Sequence, residues 1–253
     1  MIKILICSTQ RSGTTMICED FRNTGVLGNP NEYFNHWGSN KEAIDSIDWE
    51  KNLENIITQA KTENDVLSIK VMANQMHSVN QKLLTFSKKT DYKEKFLSEF
   101  YETFKDAFYI RVYRRDKLRQ AISALIARKT EIFHAVDKSV DNYFAGKLLK
   151  GYKEDYNTEF DTDITEIDTQ IKHIYSQESI WDKFFDQNNI KYYPLYYEDI
   201  CNSDYQYLHK ISKEIGISIP DKTPQRKLLK LSNSINEEWV QRYQEEKQKF
   251  PKG

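Results

Sequence analysis

Three short stretches of this chain combine residue types that handle anions and protons. Gln10-Arg11-Ser12-Gly13-Thr14-Thr15 places a cation, three hydroxyls and a glycine in six consecutive positions. Arg11 offers charge-assisted hydrogen bonds, and Gly13 lets the backbone approach an anion closely. A helix starting here would add N–H groups without an intrahelical partner and the positive end of its dipole. The chemistry on offer is the gripping of a phosphate or sulfate. The stretch lacks GxxxxGK[ST], so it is not a Walker loop and has no lysine for the β- and γ-phosphates. Read alone, it is equally an ordinary strand–turn–helix with a capping Ser or Thr.

The second stretch is Asn29-Pro30-Asn31-Glu32-Tyr33-Phe34. A carboxylate held beside an anion-binding loop is a candidate general base, and the two adjacent aromatics would partly desolvate it. A solvated loop glutamate is the plainer alternative. The third is Arg114-Arg115-Asp116-Lys117-Leu118-Arg119-Gln120-Ala121-Ile122-Ser123. Seven helical steps from Asp116 to Ser123 span about 10 Å, so Arg115, just before the helix, could fold back and share a phosphate with the Ser123 hydroxyl. A solvated basic helix start, or a nucleic-acid patch, is the alternative. Lys70 and His134 are weaker candidates. Lys70 sits near a strand end, where a lysine either meets an anion or reaches solvent. His134 could orient an acceptor, serve as an auxiliary base or be structural.

The elements that must position these residues alternate between strands and helices. Residues 2–8 read as a short buried strand rich in β-branched residues, followed by a helix over 14–23 with Gly25 just past its end. Further strands fall at 66–72, 108–113 and 191–197, the last weakened by Pro194. Helical periodicity marks 49–63, 73–88, 93–105, 117–130 (with Asp116 as N-cap), 166–188, 203–215 and 235–248. Residues 131–165 show no clear period. This alternation predicts an α/β fold: P-loop-like, three-layered, with a mainly parallel central sheet flanked by helices. Ligands of such sheets bind at the carboxyl ends of the strands, just after residues 8, 71, 113 and 197. No repeat, low-complexity linker or composition shift divides the chain, so one domain over 1–253 is expected.

Composition narrows the function. The 29 Tyr and Phe among 253 residues argue against disorder, and no apolar run approaches the roughly 18 residues of a membrane span. The three cysteines, Cys7, Cys18 and Cys201, show no CxxC spacing, so neither a disulfide framework nor a metal knuckle is expected, and the cytoplasm is the default compartment. A net charge of −1 provides no global attraction to nucleic acid or membrane. Anion binding must then come from a few placed groups. Four of the eight glycines, Gly13, Gly25, Gly28 and Gly38, fall in the first 38 residues, around the first two stretches.

Taken together, the three stretches resemble the bacterial sulfotransferases of the trehalose 2-sulfotransferase type, which use 3′-phosphoadenosine 5′-phosphosulfate (PAPS). Residues 7–15 are similar to that family's 5′-phosphosulfate loop, with Thr9 where Ser is more usual. Pro30-Asn31-Glu32-Tyr33-Phe34 resembles its base-carrying loop, and residues 114–123 its 3′-phosphate segment, with the Arg-to-Ser spacing falling on Arg115 and Ser123. Ile69-Lys70-Val71-Met72, Phe133-His134, Tyr197-Glu198-Asp199-Ile200 and Glu238-Trp239-Val240 resemble further family segments. Leu231 stands where a polar residue is expected, and residues 131–165 do not match, so no particular acceptor carries over.

The resemblance implies sulfuryl transfer from PAPS to an acceptor hydroxyl, on a carbohydrate or glycolipid, by a homodimer with no stable membrane insertion and no nucleic-acid partner. It implies Glu32 as general base and Arg11, Ser12, Gly13, Thr14 and Thr15 at the phosphosulfate. Arg115 and Ser123 would lie at the 3′-phosphate, with Lys70 and His134 in auxiliary catalytic roles. No metal is expected, because the transferred group carries only one negative charge. The alternatives are a P-loop kinase or nucleotide hydrolase, a non-catalytic nucleotide- or nucleic-acid-binding module, and a PAPS-binding scaffold without activity.

Overall fold

A computed structural model describes residues 1–38, 47–87, 95–145, 148–152, 155–201, 203–221 and 225–249. Every candidate residue lies among them; the start of the helix expected at 93–105 lies outside. The chain forms two compact units. The first comprises Met1–Thr9, Gly13–Tyr113 and Gln177–Pro224, and the second Gln10–Ser12, Arg114–Ser176 and Gln225–Gly253.

In the first unit, strands β1 (Ile2–Ser8), β2 (Val66–Met72) and β3 (Phe108–Tyr113) fall where the sequence predicts them. Helix α1 (Thr14–Thr24) follows β1, α2 (Trp49–Gln59) precedes β2, and α3 (Met76–Phe86) and α4 (Ser98–Phe104) lie between β2 and β3. With the strand at Tyr192–Tyr196 they form a wholly parallel four-stranded sheet, in the order β2, β1, β3 and that late strand. All seven residues of β2 are buried, as expected for a parallel sheet covered on both faces. One face carries Leu5, Cys7, Val71 and Tyr109 into a core with Phe34, Trp37, Phe100 and Trp181. The fold is α/β, with a parallel central sheet flanked by helices.

The second unit contains α5 (Lys117–Thr130) and the short strands β4 (His134–Val136) and β5 (Leu148–Lys150). It also holds the first half of α6 (Ile164–Asn188), whose remainder belongs to the first unit. The Tyr192–Tyr196 strand is therefore β6, followed in the first unit by α7 (Tyr197–Cys201) and α8 (Gln206–Glu214). The second unit ends with β7 (Leu228–Leu229) and α9 (Ser234–Lys249). Here β4 pairs β5 in parallel and β7 antiparallel. Ile122, Leu125 and Ile126 of α5 pack with Ile167 of α6 and with Trp239 and Val240 of α9.

Several boundaries differ from the periodicity. The pattern over 73–88 starts as a 3-10 turn at Ala73–Gln75, and the helical stretch at 203–215 shortens to Gln206–Glu214. The unreadable segment 131–165 contains β4 and β5, of three residues each. Pro194 is tolerated because β6 is an edge strand. No helix among the described residues is long and apolar enough to cross a membrane.

Candidate active site

The candidate residues fall into two groups, one in each unit. In the first unit, β1 runs into Gly13, which caps α1 with φ +85°. The Gly13 carbonyl accepts from Met16 N–H at 3.1 Å and Ile17 N–H at 3.3 Å, which fixes the first turn. Thr14 and Thr15 are buried in that turn. A Cβ at Gly13 would stand 2.3 Å from Cδ2 of Tyr197, so the tyrosine ring lies directly on this glycine. The end of β1 is held separately: Trp181 Nε1 donates to the Ser8 carbonyl at 3.0 Å. The buried Arg111 guanidinium lies 6.0 Å from that indole and 4.6 Å from the Tyr113 ring.

The loop after α1, together with Ala60 at the end of α2, is fastened to the outer edge of β2. Lys70 N–H donates to the Asn31 carbonyl at 3.1 Å and Ser68 N–H to the Ala60 carbonyl at 3.1 Å. The Ser68 hydroxyl donates to the Leu27 carbonyl. Gly28 fits only because it has no side chain, since a Cβ there would meet Ser68 N at 2.6 Å. These contacts bring Glu32 to the Lys70 side chain. Lys70 Nζ lies 2.9 Å from Glu32 Oε2, and Gln75 Nε2 donates to Glu32 Oε1 at 2.9 Å. Lys70 and Gln75 are buried, at 8% and 2% exposure, whereas the Glu32 side chain keeps 31%.

A carboxylate gripped through both oxygens yet open to solvent can still receive a proton from an incoming hydroxyl. The adjacent aromatics do other work. Phe34 packs in the core 5.0 Å from Trp37, and Tyr33 donates its hydroxyl to the Asn29 carbonyl at 2.7 Å. Behind the pair, burial pushes the Cys18 thiol up to about 12, so this cysteine is packing rather than a nucleophile. Gln75 escaped sequence reasoning, as its only signal is its place three residues past Met72 at the end of β2. Its Oε1 accepts from Met72 N–H at 3.1 Å, tying the side chain to the strand end.

In the second unit, Asp116 caps α5 as expected, its Oδ1 accepting from Arg119 N–H at 2.8 Å. Arg119 continues to Asp116 Oδ2 at 2.8 Å and Glu237 Oε2 at 2.6 Å, joining α5 to α9. Gln120 Nε2 donates to the Gln10 carbonyl at 2.7 Å and Arg114 Nη1 to the Arg11 carbonyl at 3.2 Å. Arg11 itself has φ +60°. Its Nε donates to Ser123 Oγ at 2.9 Å and its Nη1 to the Phe133 carbonyl at 2.5 Å. The candidate pair Arg115 and Ser123 thus differs in setting: Arg115 is exposed at the helix start, while Ser123, one face along, meets Arg11.

Arg11 and Ser123 line a small pocket with Tyr156, Ser232, Asn236, Ile126, Ala127, Ile132 and Leu231. Burial pushes the Tyr156 hydroxyl up to about 12 against the lowering pull of Arg11. The loop after β7 is pinned by Asn157, whose Oδ1 accepts from Asn233 Nδ2 at 2.7 Å, and Tyr156 donates to the Leu231 carbonyl at 3.2 Å. Ser12 is buried, and His134 is half-buried at the start of β4. Among the described residues no group of three or more His, Cys, Asp or Glu is arranged to hold a metal ion.

The model of the Stf0 sulphotransferase family matches residues 3–246. The trehalose 2-sulfotransferase of Mycobacterium tuberculosis is 23% identical over 273 residues, covering 96% of this chain and 94% of that protein. The trehalose 2-sulfotransferase of Mycolicibacterium smegmatis is 23% identical over 283 residues, covering 97% and 95%. Among solved structures, a sulfotransferase from Alicyclobacillus acidocaldarius superimposes with a TM-score of 0.48 at 10% identity, over 97% of this chain and 92% of that one.

Proposed function

We propose that this chain, which belongs to the Stf0 sulphotransferase family and is a sulfotransferase, takes its sulfuryl group from PAPS and passes it to a carbohydrate or glycolipid hydroxyl. The observation that carries the reading is the Glu32 carboxylate, held by Lys70 and Gln75 with part of its surface open. The trehalose 2-sulfotransferases to which the chain is similar act on a sugar, which supports the carbohydrate acceptor.

The donor supplies an activated sulfuryl group. Glu32 accepts the proton of the acceptor hydroxyl as its oxygen bonds to sulfur, while the bond from sulfur to the phosphate oxygen breaks and adenosine 3′,5′-bisphosphate leaves. Ser12 and the N–H groups of Gly13, Thr14 and Thr15 hold the 5′-phosphosulfate, as a helix start does for an anion. They also stabilise charge on the departing phosphate, a type of donor worth roughly 3–4 kcal/mol when removed. Arg115 and Ser123 hold the 3′-phosphate, and Arg11 adds a cation for the nucleotide. Lys70 keeps Glu32 oriented and can meet the bridging oxygen; His134 orients the acceptor. The enzyme works as a single domain over 1–253, as a cytoplasmic homodimer and without metal.

Purified protein given sulfur-labelled PAPS and a panel of sugars and glycolipids, with EDTA present, should yield a labelled product and one equivalent of adenosine 3′,5′-bisphosphate. Magnesium-dependent turnover of ATP with no transfer from PAPS would overturn the reading.

A further inference from the structure

We propose that Arg111 is an electrostatic positioning residue of the transfer: buried beneath the end of β1, its guanidinium supplies positive field to the anion held at the start of α1. The proposal rests on the PAPS reading and adds to it a residue that acts from inside the fold rather than by contact.

Arg111 is a cation in an unfavourable place. It lies within β3 at 0% exposure. Its Nε and Nη2 find no hydrogen-bond partner among the described residues, and its Nη1 reaches only the Val112 carbonyl, at 3.4 Å. The groups around it are neutral. The guanidinium faces the Tyr113 ring at 4.6 Å and the Trp181 ring at 6.0 Å. Burial raises the Cys7 thiol and the Tyr113 hydroxyl against the pull of Arg111, so both keep their protons. Ring faces attract a cation, but by less than a buried charge loses with its water. Such a charge favours an anion nearby.

The sheet places that anion. Arg111 stands opposite Cys7 in the pairing of β1 with β3, and Cys7 is two residues before Thr9. With strands about 4.8 Å apart and about 3.3 Å of rise per residue, the Arg111 Cα is about 8 Å from the start of the loop. Trp181, one of the two rings beside the cation, also donates to the Ser8 carbonyl at the end of β1 at 3.0 Å. Gly13, Thr14 and Thr15 then open α1. At an effective dielectric near 20, opposite unit charges about 10 Å apart gain about tenfold in affinity or more. The field is in place before reaction, so it needs no rearrangement as charge gathers on the phosphate oxygen whose bond to sulfur breaks.

Arg111→Met keeps much of the volume and removes the charge. Because an unpaired buried charge is costly, the ligand-free variant should melt at or above the wild-type temperature. By calorimetric titration it should bind adenosine 3′,5′-bisphosphate at least about tenfold more weakly than wild type, adenosine 5′-monophosphate with a smaller loss, and uncharged adenosine within about twofold. The bisphosphate ratio should persist at about 1 M salt, where the Debye length is about 3 Å and exposed arginines have lost most of their pull. Arg111→Lys, which keeps a charge without the planar fork, should hold the bisphosphate within about threefold. A Met variant that cannot fold, or that melts well below wild type with its bisphosphate affinity intact, would make Arg111 a packing residue and overturn the proposal. Equal weakening of all three compounds by Arg111→Met, or a loss of bisphosphate in Arg111→Lys as large as in Arg111→Met, would overturn it too. Wild-type protein that does not prefer the bisphosphate would instead overturn the PAPS reading itself.

Discussion

Lys70 and Glu32 meet at 2.9 Å, the lysine all but buried and the glutamate about one-third exposed. The pair joins a strand residue to a loop residue 38 positions earlier in the chain. A buried ammonium needs a counter-charge, and Glu32 is that charge as well as the proposed base. Holding the carboxylate in place and partnering the lysine are one arrangement.

Glu32→Gln should reduce sulfuryl transfer by about 10²- to 10⁴-fold, the usual contribution of a general base. Binding of adenosine 3′,5′-bisphosphate should be unchanged. Transfer assays and titration on the same preparation check both halves; near-normal turnover would remove Glu32 from the mechanism.

Lys70→Met should lower kcat by about ten- to a hundredfold by releasing one oxygen of the base. Made in the Glu32→Gln background, the same change should cost little more, because residues acting as a unit are not additive. The four-variant cycle measures this. Full additivity would mean that Lys70 acts independently of Glu32.

Gln75→Ala should lower kcat about tenfold and leave the KM for donor within about twofold, the signature of a lost orienting contact rather than lost binding. Gln75→Glu replaces the amide donor with a second carboxylate beside Glu32 and should be the worse of the two. A rise in KM alone would count against the positioning role.

Gly13→Ala combines a φ of +85° with a Cβ 2.3 Å from the Tyr197 ring. It should destabilise the protein by about 1–3 kcal/mol. Trimming the ring with Tyr197→Leu should recover the steric share of that loss and leave the backbone share. Thermal melts of the single and double variants separate the two.

Much of this was legible because the chemistry sits where strands end. The strands β1 to β3, the Asp116 cap and the Gly25 stop all leave compact local signals, and the loops at residues 9–15 and 29–34 follow from them. Lys70 was readable only as a choice between solvent and site; the structure buries it in an ion pair with Glu32. The sheet of β4, β5 and β7 was not legible, because strands of two or three residues are shorter than one alternation period can mark. The meeting of Arg11 with Ser123 was also hidden. It depends on a backbone angle that a Gln-Arg-Ser sequence does not announce.

The acid side of the stability profile follows from Asp116. Burial raises its carboxyl, but bonds from Arg119 outweigh this and leave it below its ordinary value. A carboxylate lowered in the folded state contributes stability above its unfolded value, near pH 3.9, and loses it as pH falls through the lower folded value. Glu237 and Asp161 are lowered for the same reason, by Arg119 and Arg242. Melting temperature should therefore fall steeply below about pH 4. Asp116→Asn keeps a capping side chain and should flatten that fall. An unchanged acid slope in the variant would count against the Asp116 contribution.

The loop that carries Glu32 also affects how the protein behaves in company. β2 is the outermost strand of its sheet, and such an edge invites pairing with a second chain. Here the outward N–H groups of Ser68, Lys70 and Met72 are taken by the Ala60 carbonyl, the Asn31 carbonyl and the Gln75 side chain. Two of the three partners stand beside the proposed base: Asn31 precedes Glu32 in its loop and Gln75 donates to its carboxylate. A variant that loosens this loop therefore uncovers a sticky strand, so lost activity and lost solubility should arrive together.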